Sequence, residues 1–342
     1  MAGPMKLDLQ LATTADEAPE GARRLERMGV DGGFTFDSGH DVFLPLATAA
    51  PVTSLDLMTN VAMAFPRSPM VLAITANDLQ LLSKGRFRLG LGTQVKPHIE
   101  KRFGATWGKP VQHMREWVLA IKAIFRNWNE GEPLDFRGEY TTHTLSTPAF
   151  SPEPNPYGPP KVLVGALGPR MNEMAAEVAD GVLVMPFNSE RHMDERTMPA
   201  IRRGLEASGR AVDDYEISVE VIVGLGRTEE ELERARAIRS LVAFYASTPA
   251  YRPVLEVEGW EDLQPELNAL SKRGRWAQMG ELVTDEVMGT IGVLGTPEEC
   301  AAEIVRRFGR HADRVCAYFP GYDVSDELVT DFAAALATAS TS

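Results

Sequence analysis

Segments with strand-like and helix-like patterns alternate along almost the whole chain, and this alternation limits the fold more than any other feature. Eight short segments have the pattern of a β-strand, and each is followed by a segment whose apolar residues have helical spacing. Because a helix between two strands returns the chain to the start of the sheet, the strands are predicted to be parallel, with right-handed crossovers. The predicted strands are 6–11, 30–36, 55–65, 86–92, 161–166, 180–187, 215–226 and 312–320.

Eight such units predict a (β/α)8 barrel, the TIM-barrel fold, formed as a single α/β domain by residues 1–342. A doubly wound open sheet is the alternative, but the dinucleotide-binding motif GxGxxG does not follow the first strand. Two stretches, 129–160 and 247–295, do not fit the repeat and are too long for simple connections. We predict that both are insertions over the C-terminal face of the barrel, near the active site.

The overall charge and composition argue against several kinds of partner. The formal net charge is −13, so neither nucleic acid nor an anionic membrane is expected as the main partner. No apolar run approaches the ~20 residues that cross a bilayer, and no secretory signal pattern is present at the start. Cys300 and Cys316 are expected to be reduced and partly buried. We therefore expect a cytoplasmic protein that acts on a small molecule.

The turn after the fifth predicted strand has the composition of an anion site. Residues 165–170 read GALGPR and lead from the strand into a helix. The free N–H groups and the dipole of a helix N-terminus favour a phosphate there, and Arg170 adds a positive charge. A tight turn with a solvated Arg170 is the plainer interpretation of the same residues.

The fourth predicted strand leads into a local cluster of basic residues. After Gln94, the chain carries Lys96, His98, Lys101 and Arg102 within a short distance. In an acidic protein such a cluster attracts the anionic part of a ligand. A solvated helix face is the alternative interpretation.

The second predicted strand ends in the polar sequence DSGHD, which includes Asp37, His40 and Asp41. These residues suit a metal site, an acid–base pair, or a polar strand end that caps the next segment. A metal would need a further ligand, but no histidines stand at HxH or HxxxH spacing and HExxH is absent. We therefore predict no metal. The motif GxSxG is also absent, so nothing supports a nucleophilic serine.

Four stretches taken in order resemble a known family. They are GVDGGFTFDSGHDVFLPLATAA (29–50), the segment from NVAMAFPRSP to KRFG (60–104), PPKVLVGALGPRMNEMAAEVADGVLVMPF (159–187) and GTPEECAAEIVRRFG (295–309). In this order they resemble the luciferase-like monooxygenase superfamily, and most closely its coenzyme F420-dependent oxidoreductases. The family resemblance implies a luciferase-like TIM barrel that assembles as a homodimer or a larger homo-oligomer.

The resemblance also implies where the cofactor lies. The deazaflavin ring would occupy the barrel mouth against a non-prolyl cis peptide, which the spacing to Pro69 assigns to Asn60–Val61. The acid at the end of the second strand would contact the ring, and the turn after the fifth strand would hold the cofactor phosphate. With the strand ends, the expected cofactor-binding residues are Asp37, Asn60, Val61, Ala62, Gln94, Gly165, Ala166, Leu167, Gly168 and Arg170.

The function implied by this resemblance is hydride transfer between C5 of coenzyme F420 and a small organic substrate. His40 is the expected proton donor, because the pKa of histidine lies near neutrality, and Asp37 would orient the ring or His40. Many relatives have histidine directly after the acid, whereas Ser38 and Gly39 intervene here. Two alternatives remain at this point: a monooxygenase that uses FMN, and a protein that binds F420 or flavin without catalysis.

Overall fold

Eight parallel strands close into a barrel in the order of the chain. The computed structural model describes residues 4–341. Each strand pairs with its neighbours in sequence and the eighth pairs with the first, which confirms the (β/α)8 prediction. The strands are β1 (Lys6–Gln10), β2 (Gly32–Thr35), β3 (Asp56–Thr59), β4 (Phe87–Gly92), β5 (Lys161–Ala166), β6 (Gly181–Val184), β7 (Glu216–Leu225) and β8 (Arg314–Tyr318).

After each strand, a helix returns the chain to the N-terminal end of the barrel. After β7 a helical insertion comes first, and α13 is the helix that returns the chain. The helices are α1 (Ala18–Arg27), α2 (Leu44–Ala49), α3 (Pro69–Leu82), α4 (Pro110–Glu130), α5 (Pro169–Val178), α6 (Met198–Ser208), α7 (Glu229–Ala235), α8 (Ile238–Ala246), α9 (Arg252–Glu258), α10 (Leu263–Lys272), α11 (Trp276–Leu282), α12 (Asp285–Ile291), α13 (Pro297–Phe308) and α14 (Asp326–Ala339).

The strand β7 shows how the barrel divides its side chains between two cores. Val219, Val221 and Val223 belong to the large apolar core that the helices cover. Glu220 is paired in register with Cys316, which belongs to a smaller cluster inside the barrel. Because successive side chains of a strand point to opposite faces, Glu220 also points into the barrel interior.

Charged side chains close the N-terminal end of the barrel. Arg314 is almost fully buried and donates to Asp8 with two nitrogens, through Nε at 2.7 Å and through Nη2, and to Asp56 Oδ2 at 2.8 Å. Arg88 Nε lies 2.7 Å from Glu216 Oε1 in an ion pair without hydrogen-bond geometry. Each of these acids therefore has an arginine beside it.

The third predicted strand, 55–65, divides at a cis peptide bond. The strand β3 ends at Thr59, and the peptide bond between Asn60 and Val61 is cis. The chain then resumes pairing at Ala62–Met63, which lies beside the end of β4. The position of the cis bond agrees with the prediction from the family resemblance.

The stretch 247–295 forms most of an extra helical layer at the C-terminal face. The chain leaves the end of β7, forms α7 to α12, and returns through the short strand Val293–Gly295, which pairs with the last residues of β7. The segment therefore leaves the barrel at the C-terminal end of β7 and returns to the same end. Its predicted place near the active site stays a prediction.

The stretch 129–160 follows a helix and precedes β5, so its two ends lie at the N-terminal side of the barrel. Its hairpin runs back along α4, where Glu116 accepts from the backbone N–H groups of Glu139, Tyr140 and Thr141. The Tyr140 hydroxyl accepts from the N–H of Lys109, directly before α4, at 3.2 Å. The predicted position of this stretch over the C-terminal face stays a prediction.

Candidate active site at the mouth of the barrel

Asp37, at the end of β2, is held by an arginine. The Arg67 guanidinium donates to both carboxylate oxygens of Asp37, at 2.6 and 2.9 Å, and the Met63 N–H donates to Oδ2 at 2.6 Å. The Asp37 side chain is 7% exposed, and the Arg67 guanidinium also lies 5.4 Å from the centre of the Phe43 ring. Asp37 therefore fastens the end of β2 to the segment that follows the cis peptide. Its predicted contact with a cofactor stays a prediction.

The rest of the DSGHD loop is exposed at the rim. Within residues 4–341, the His40 side chain forms no hydrogen bond and no ion pair, and it is exposed to solvent. Asp41 Oδ1 accepts from the N–H groups of Phe43, at 2.8 Å, and Leu44, at 3.0 Å. Asp41 thus holds the turn that leads into α2, as a polar strand end that caps the next segment would. No contact in the described chain orients His40 for proton transfer.

Two glycines make room for Val61 at the base of the mouth. A Cβ atom at Gly92 would lie 2.3 Å from Val61 Cγ2, and one at Gly165 would lie 3.1 Å from Val61 Cγ1. A side chain at Gly92 would overlap Val61, and one at Gly165 would press against it. The two glycines therefore leave the space in which Val61 projects. Val61 itself is only partly buried, so its side chain forms an apolar platform that faces the mouth.

A buried carboxyl group lies across the barrel from the cis peptide. Glu220 is 6% exposed, and its strand, β7, is opposite β3 in the ring. The Tyr318 hydroxyl and the Asn60 amide lie beside its carboxyl group. Both amide atoms of Asn60 are buried without a hydrogen bond of normal geometry to any described residue. Glu220, Asn60 and Tyr318 thus form a polar floor under the mouth.

Burial controls the protonation of this floor. Loss of solvent raises the pKa of Glu220 to about 8, although the neighbouring Tyr318 and Asn60 oppose part of this rise. The pKa values of Tyr245 and Tyr251, which belong to the insertion, are raised first by burial and then by the Glu220 charge. Glu220 therefore carries a proton at neutral pH, with two tyrosines of the insertion near it.

The sequence predictions did not single out Glu220. A signal was available, because Glu216, Ser218 and Glu220 alternate with valine and isoleucine in one strand. Polar residues at every second position of a strand that is otherwise apolar indicate a polar barrel interior. Without the order of the strands, that pattern does not show which residue faces the mouth.

The turn after β5 has the geometry of a helix N-terminus open to solvent. Ala166 and Leu167 are buried, Gly168 is exposed, and α5 begins directly afterwards. The Asn172 side-chain amide donates to the carbonyl groups of Leu167, at 2.9 Å, and Gly168, at 3.2 Å, and so fixes the turn. The Arg170 side chain is exposed and has no hydrogen-bond or ion-pair partner within residues 4–341. The free N–H groups of this helix N-terminus and the exposed Arg170 guanidinium could both bind an anion.

The loop after β4 approaches the loop after β2. Gln94 has a φ of 55°, which is uncommon for a residue other than glycine. Arg102 Nη2 donates to the Ser38 carbonyl oxygen at 2.5 Å, and Lys96 lies 3.7 Å from Glu100. The predicted basic cluster is exposed, and Arg102 links it to the DSGHD loop. The predicted cofactor residues thus follow four neighbouring strands, β2 to β5, while Glu220 and Tyr318 lie on β7 and β8.

Two other features are absent from the described residues. Between residues 4 and 341, no group of three or more histidine, cysteine, aspartate or glutamate side chains is arranged to hold a metal ion. In that range, no helix combines the length and the apolar composition that crossing a membrane requires.

Comparison with known proteins identifies relatives over most of the chain. Rv1360, an uncharacterised protein of Mycobacterium tuberculosis, is 49% identical over 317 residues, which cover 92% of this chain and 93% of that protein. The 5,10-methylenetetrahydromethanopterin reductase of Archaeoglobus fulgidus is 29% identical over 293 residues, covering 81% of this chain and 83% of the reductase.

A solved structure and a family model agree with these relatives. The coenzyme F420-dependent tetrahydromethanopterin reductase of Methanopyrus kandleri superposes with a TM-score of 0.79 at 19% identity, covering 97% of this chain and 98% of that one, which shows a common fold. The family model for luciferase-like monooxygenases matches residues 4–314. The chain belongs to the luciferase-like monooxygenase family.

Proposed function

We propose that this protein is a coenzyme F420-dependent oxidoreductase that transfers a hydride between the deazaflavin and a small organic substrate. The observation that carries the proposal is the barrel mouth, where an apolar platform, a protonated carboxyl group and an open helix N-terminus come from different strand ends. The similarity to the A. fulgidus reductase supports the choice of reaction.

The residues of the mouth fit a flat ring with a phosphate-bearing side chain. Val61 supplies an apolar surface between Gly92 and Gly165. A residue larger than glycine at position 92 would overlap the Val61 side chain. The buried Asn60 amide has no partner of normal geometry in the described chain, so it is free to bond a polar ring edge. In this proposal the ring lies on Val61, and the turn at Gly168 with Arg170 holds the phosphate.

The basic cluster after β4 fits the anionic tail of coenzyme F420. Lys101 and Arg102 are exposed on the loop that approaches the rim of the mouth, in a chain whose net charge is −13. A local group of cations raises the local concentration of a polyanion and increases its association rate. FMN has no such tail, so the cluster favours F420 over FMN.

The reaction needs a proton as well as a hydride, and Glu220 is our candidate donor. When bound, the deazaflavin supplies or accepts the hydride at its C5. Glu220 holds a proton at neutral pH on the floor of the mouth, where little water reaches it. It would give that proton to the substrate atom that gains negative charge, and take it back in the reverse reaction. His40 is exposed and lacks an orienting contact, so we favour Glu220 over the donor predicted from the sequence.

Titration of the purified protein with F420 and with FMN tests the choice of cofactor. We expect F420 to bind at least about tenfold more tightly, and we expect its affinity to fall with added salt because the tail is anionic. Replacing Lys101 and Arg102 with glutamine should reduce this salt dependence. The same double substitution at Lys84 and Arg202, which are exposed elsewhere, is the matched control. Tighter binding of FMN would contradict the proposal and favour a flavin monooxygenase.

Anaerobic turnover separates an enzyme from a protein that only binds the cofactor. Reduced F420 would be mixed with a panel of imines, ketones, unsaturated acids and quinones, and its reoxidation followed by absorbance. The proposal predicts reoxidation that depends on one class of acceptor. Tight binding of F420 with no reoxidation by any acceptor would favour a storage or carrier protein.

We also propose that the protein is a homodimer, because large apolar residues are exposed on the outer side of α3. Leu72 and Leu79 are buried against the barrel, while Val71 is 52% and Ile74 46% exposed. Neighbouring exposed apolar side chains of this size are often an interaction surface, and a second copy of the chain is the proposed cover. Light scattering should show a dimer for the wild type and a monomer for Val71→Glu with Ile74→Glu. Leu145→Glu, at a position elsewhere that is 78% exposed, should remain a dimer.

A further inference from the structure

A second group of cations lies at the end of α10 and on the loop that leads to α11. Lys272, Arg273 and Arg275 are all exposed, and none of them forms an ion pair or a side-chain hydrogen bond within residues 4–341. Many exposed arginines of the described residues form an ion pair with a carboxylate, for example Arg227 with Glu298. Three neighbouring cations without a counterion are therefore unusual in a protein whose net charge is −13.

Exposed aromatic rings stand next to these cations. Trp276 is 57% and Phe244 48% exposed, and their ring centres are 6.4 Å apart. The Phe244 ring lies 5.8 Å from that of Tyr245, whose pKa is raised by burial and then by the charge of Glu220. Contacts between aromatic rings thus connect the surface loop with Tyr245, which is near Glu220. We call Phe244, Lys272, Arg273, Arg275 and Trp276 the basic aromatic rim.

The rim lies on the side of the barrel away from the predicted cofactor residues. It belongs to the insertion that follows β7, and β7 stands opposite β3 in the ring. The cluster around Arg102 follows β4 instead, on the cofactor side. A ligand that reaches Glu220 along the rim would therefore approach the deazaflavin from the side that the cofactor leaves open.

We propose that the basic aromatic rim binds the distal part of the substrate, and that the substrate carries both an aromatic ring and a carboxylate or phosphate. Trp276 and Phe244 offer faces for stacking, and the three cations match an anionic group. Tyr245, which follows Phe244 in the chain, also packs with Phe187 and Tyr251 at ring distances near 6 Å. This inference rests on the proposed function, since it identifies the class of substrate for the same site.

Calorimetry with naphthalene probes tests the inference in the F420-loaded protein. The probes are 1-naphthyl phosphate and 2-naphthoate, with 2-naphthalenemethanol and 2-naphthylmethylamine as neutral and cationic analogues. We expect the two anions to bind and the amine not to bind. The triple change Lys272→Gln, Arg273→Gln and Arg275→Gln should weaken anion binding by at least about tenfold, and Trp276→Ala should weaken all aromatic probes.

The control carries the same loss of charge elsewhere: Lys84→Gln, Lys109→Gln and Arg202→Gln, which should bind the probes as the wild type does. Equal affinity for the anionic and neutral probes, or an unchanged affinity in the rim triple variant, would overturn the inference. Competition between F420 and the anionic probes would also overturn it, because the rim would then be part of the cofactor tail site. F420 affinity, measured separately, shows whether the proposed function itself fails.

Discussion

Replacing Glu220 with glutamine is expected to lower the rate of hydride transfer by about 10²–10⁴-fold and to change the affinity for F420 little. Glutamine keeps the size of the side chain and can still bond Tyr318 and Asn60, but it has no acidic proton to give. The measurement is anaerobic stopped-flow oxidation of reduced F420 by the acceptor that the wild type reduces, with F420 affinity determined by titration.

The pH dependence of the rate identifies the donor more directly. Because the pKa of Glu220 is raised to about 8, the wild-type rate should be steady near neutrality and fall as the pH rises above about 8. The Glu220→Gln variant should lack that decrease. If His40→Ala removes activity while Glu220→Gln retains it together with the alkaline decrease, the donor is His40, as the sequence suggested.

Stability measurements test the same carboxyl group without any substrate. The pKa of Glu220 is raised from 4.5 in the unfolded chain to about 8 in the folded one, so the folded chain binds this proton more tightly. The stabilisation is complete below pH 4.5 and is lost as the pH rises toward 8, by an amount on the order of a few kcal/mol. The glutamine variant does not titrate there, so its Tm should fall less than that of the wild type between pH 5 and 8.

The barrel could be predicted from the sequence because apolar residues recur with a different spacing in strands and in helices. Every predicted strand forms, and the cis bond at Asn60–Val61 lies where the family resemblance and the distance to Pro69 placed it. The partner of Asp37 could not be predicted in this way. Arg67 stands thirty positions later, and only the closed ring brings it to the end of β2.

Glu220 could not be singled out from the sequence for a physical reason. The role of Glu220 depends on burial from several sides, which comes from strands and helices distant in sequence. The stretch 129–160 shows a related difficulty. Its place after a helix fixes where its ends lie, but the contact between Tyr140 and Lys109 depends on how its hairpin folds back along α4.

Replacing Arg314 with methionine is expected to lower the free energy of unfolding by about 3–5 kcal/mol. Arg314 donates to Asp8, which is 1% exposed, and methionine would leave that carboxylate buried with no cation beside it. The space is already tight, because a Cβ atom at Gly32 would lie 2.0 Å from Asp8 Oδ1. Urea unfolding followed by circular dichroism at neutral pH measures the change.

The exposed Arg227 is the matched control for this substitution. It also pairs with two carboxylates, Glu298 at 2.8 Å and Asp331 at 2.7 Å, but its side chain is 42% exposed. Water can hydrate those carboxylates when the arginine is removed, so Arg227→Met should destabilise the protein far less than Arg314→Met does. Similar losses for the two variants would show that burial is not what makes Arg314 important.

A double substitution separates the cost of an unpaired charge from the value of the pair. Asp8→Val with Arg314→Met replaces both partners by apolar side chains and leaves Asp56 with Lys6 and Arg88. Most of the stability lost in the single variant should return, because the main penalty is the buried carboxylate rather than the missing attraction. Burial already raises the pKa of Asp8 against the effect of Arg314. If the double variant is as unstable as Arg314→Met, the network at the base of the barrel contributes more than charge balance.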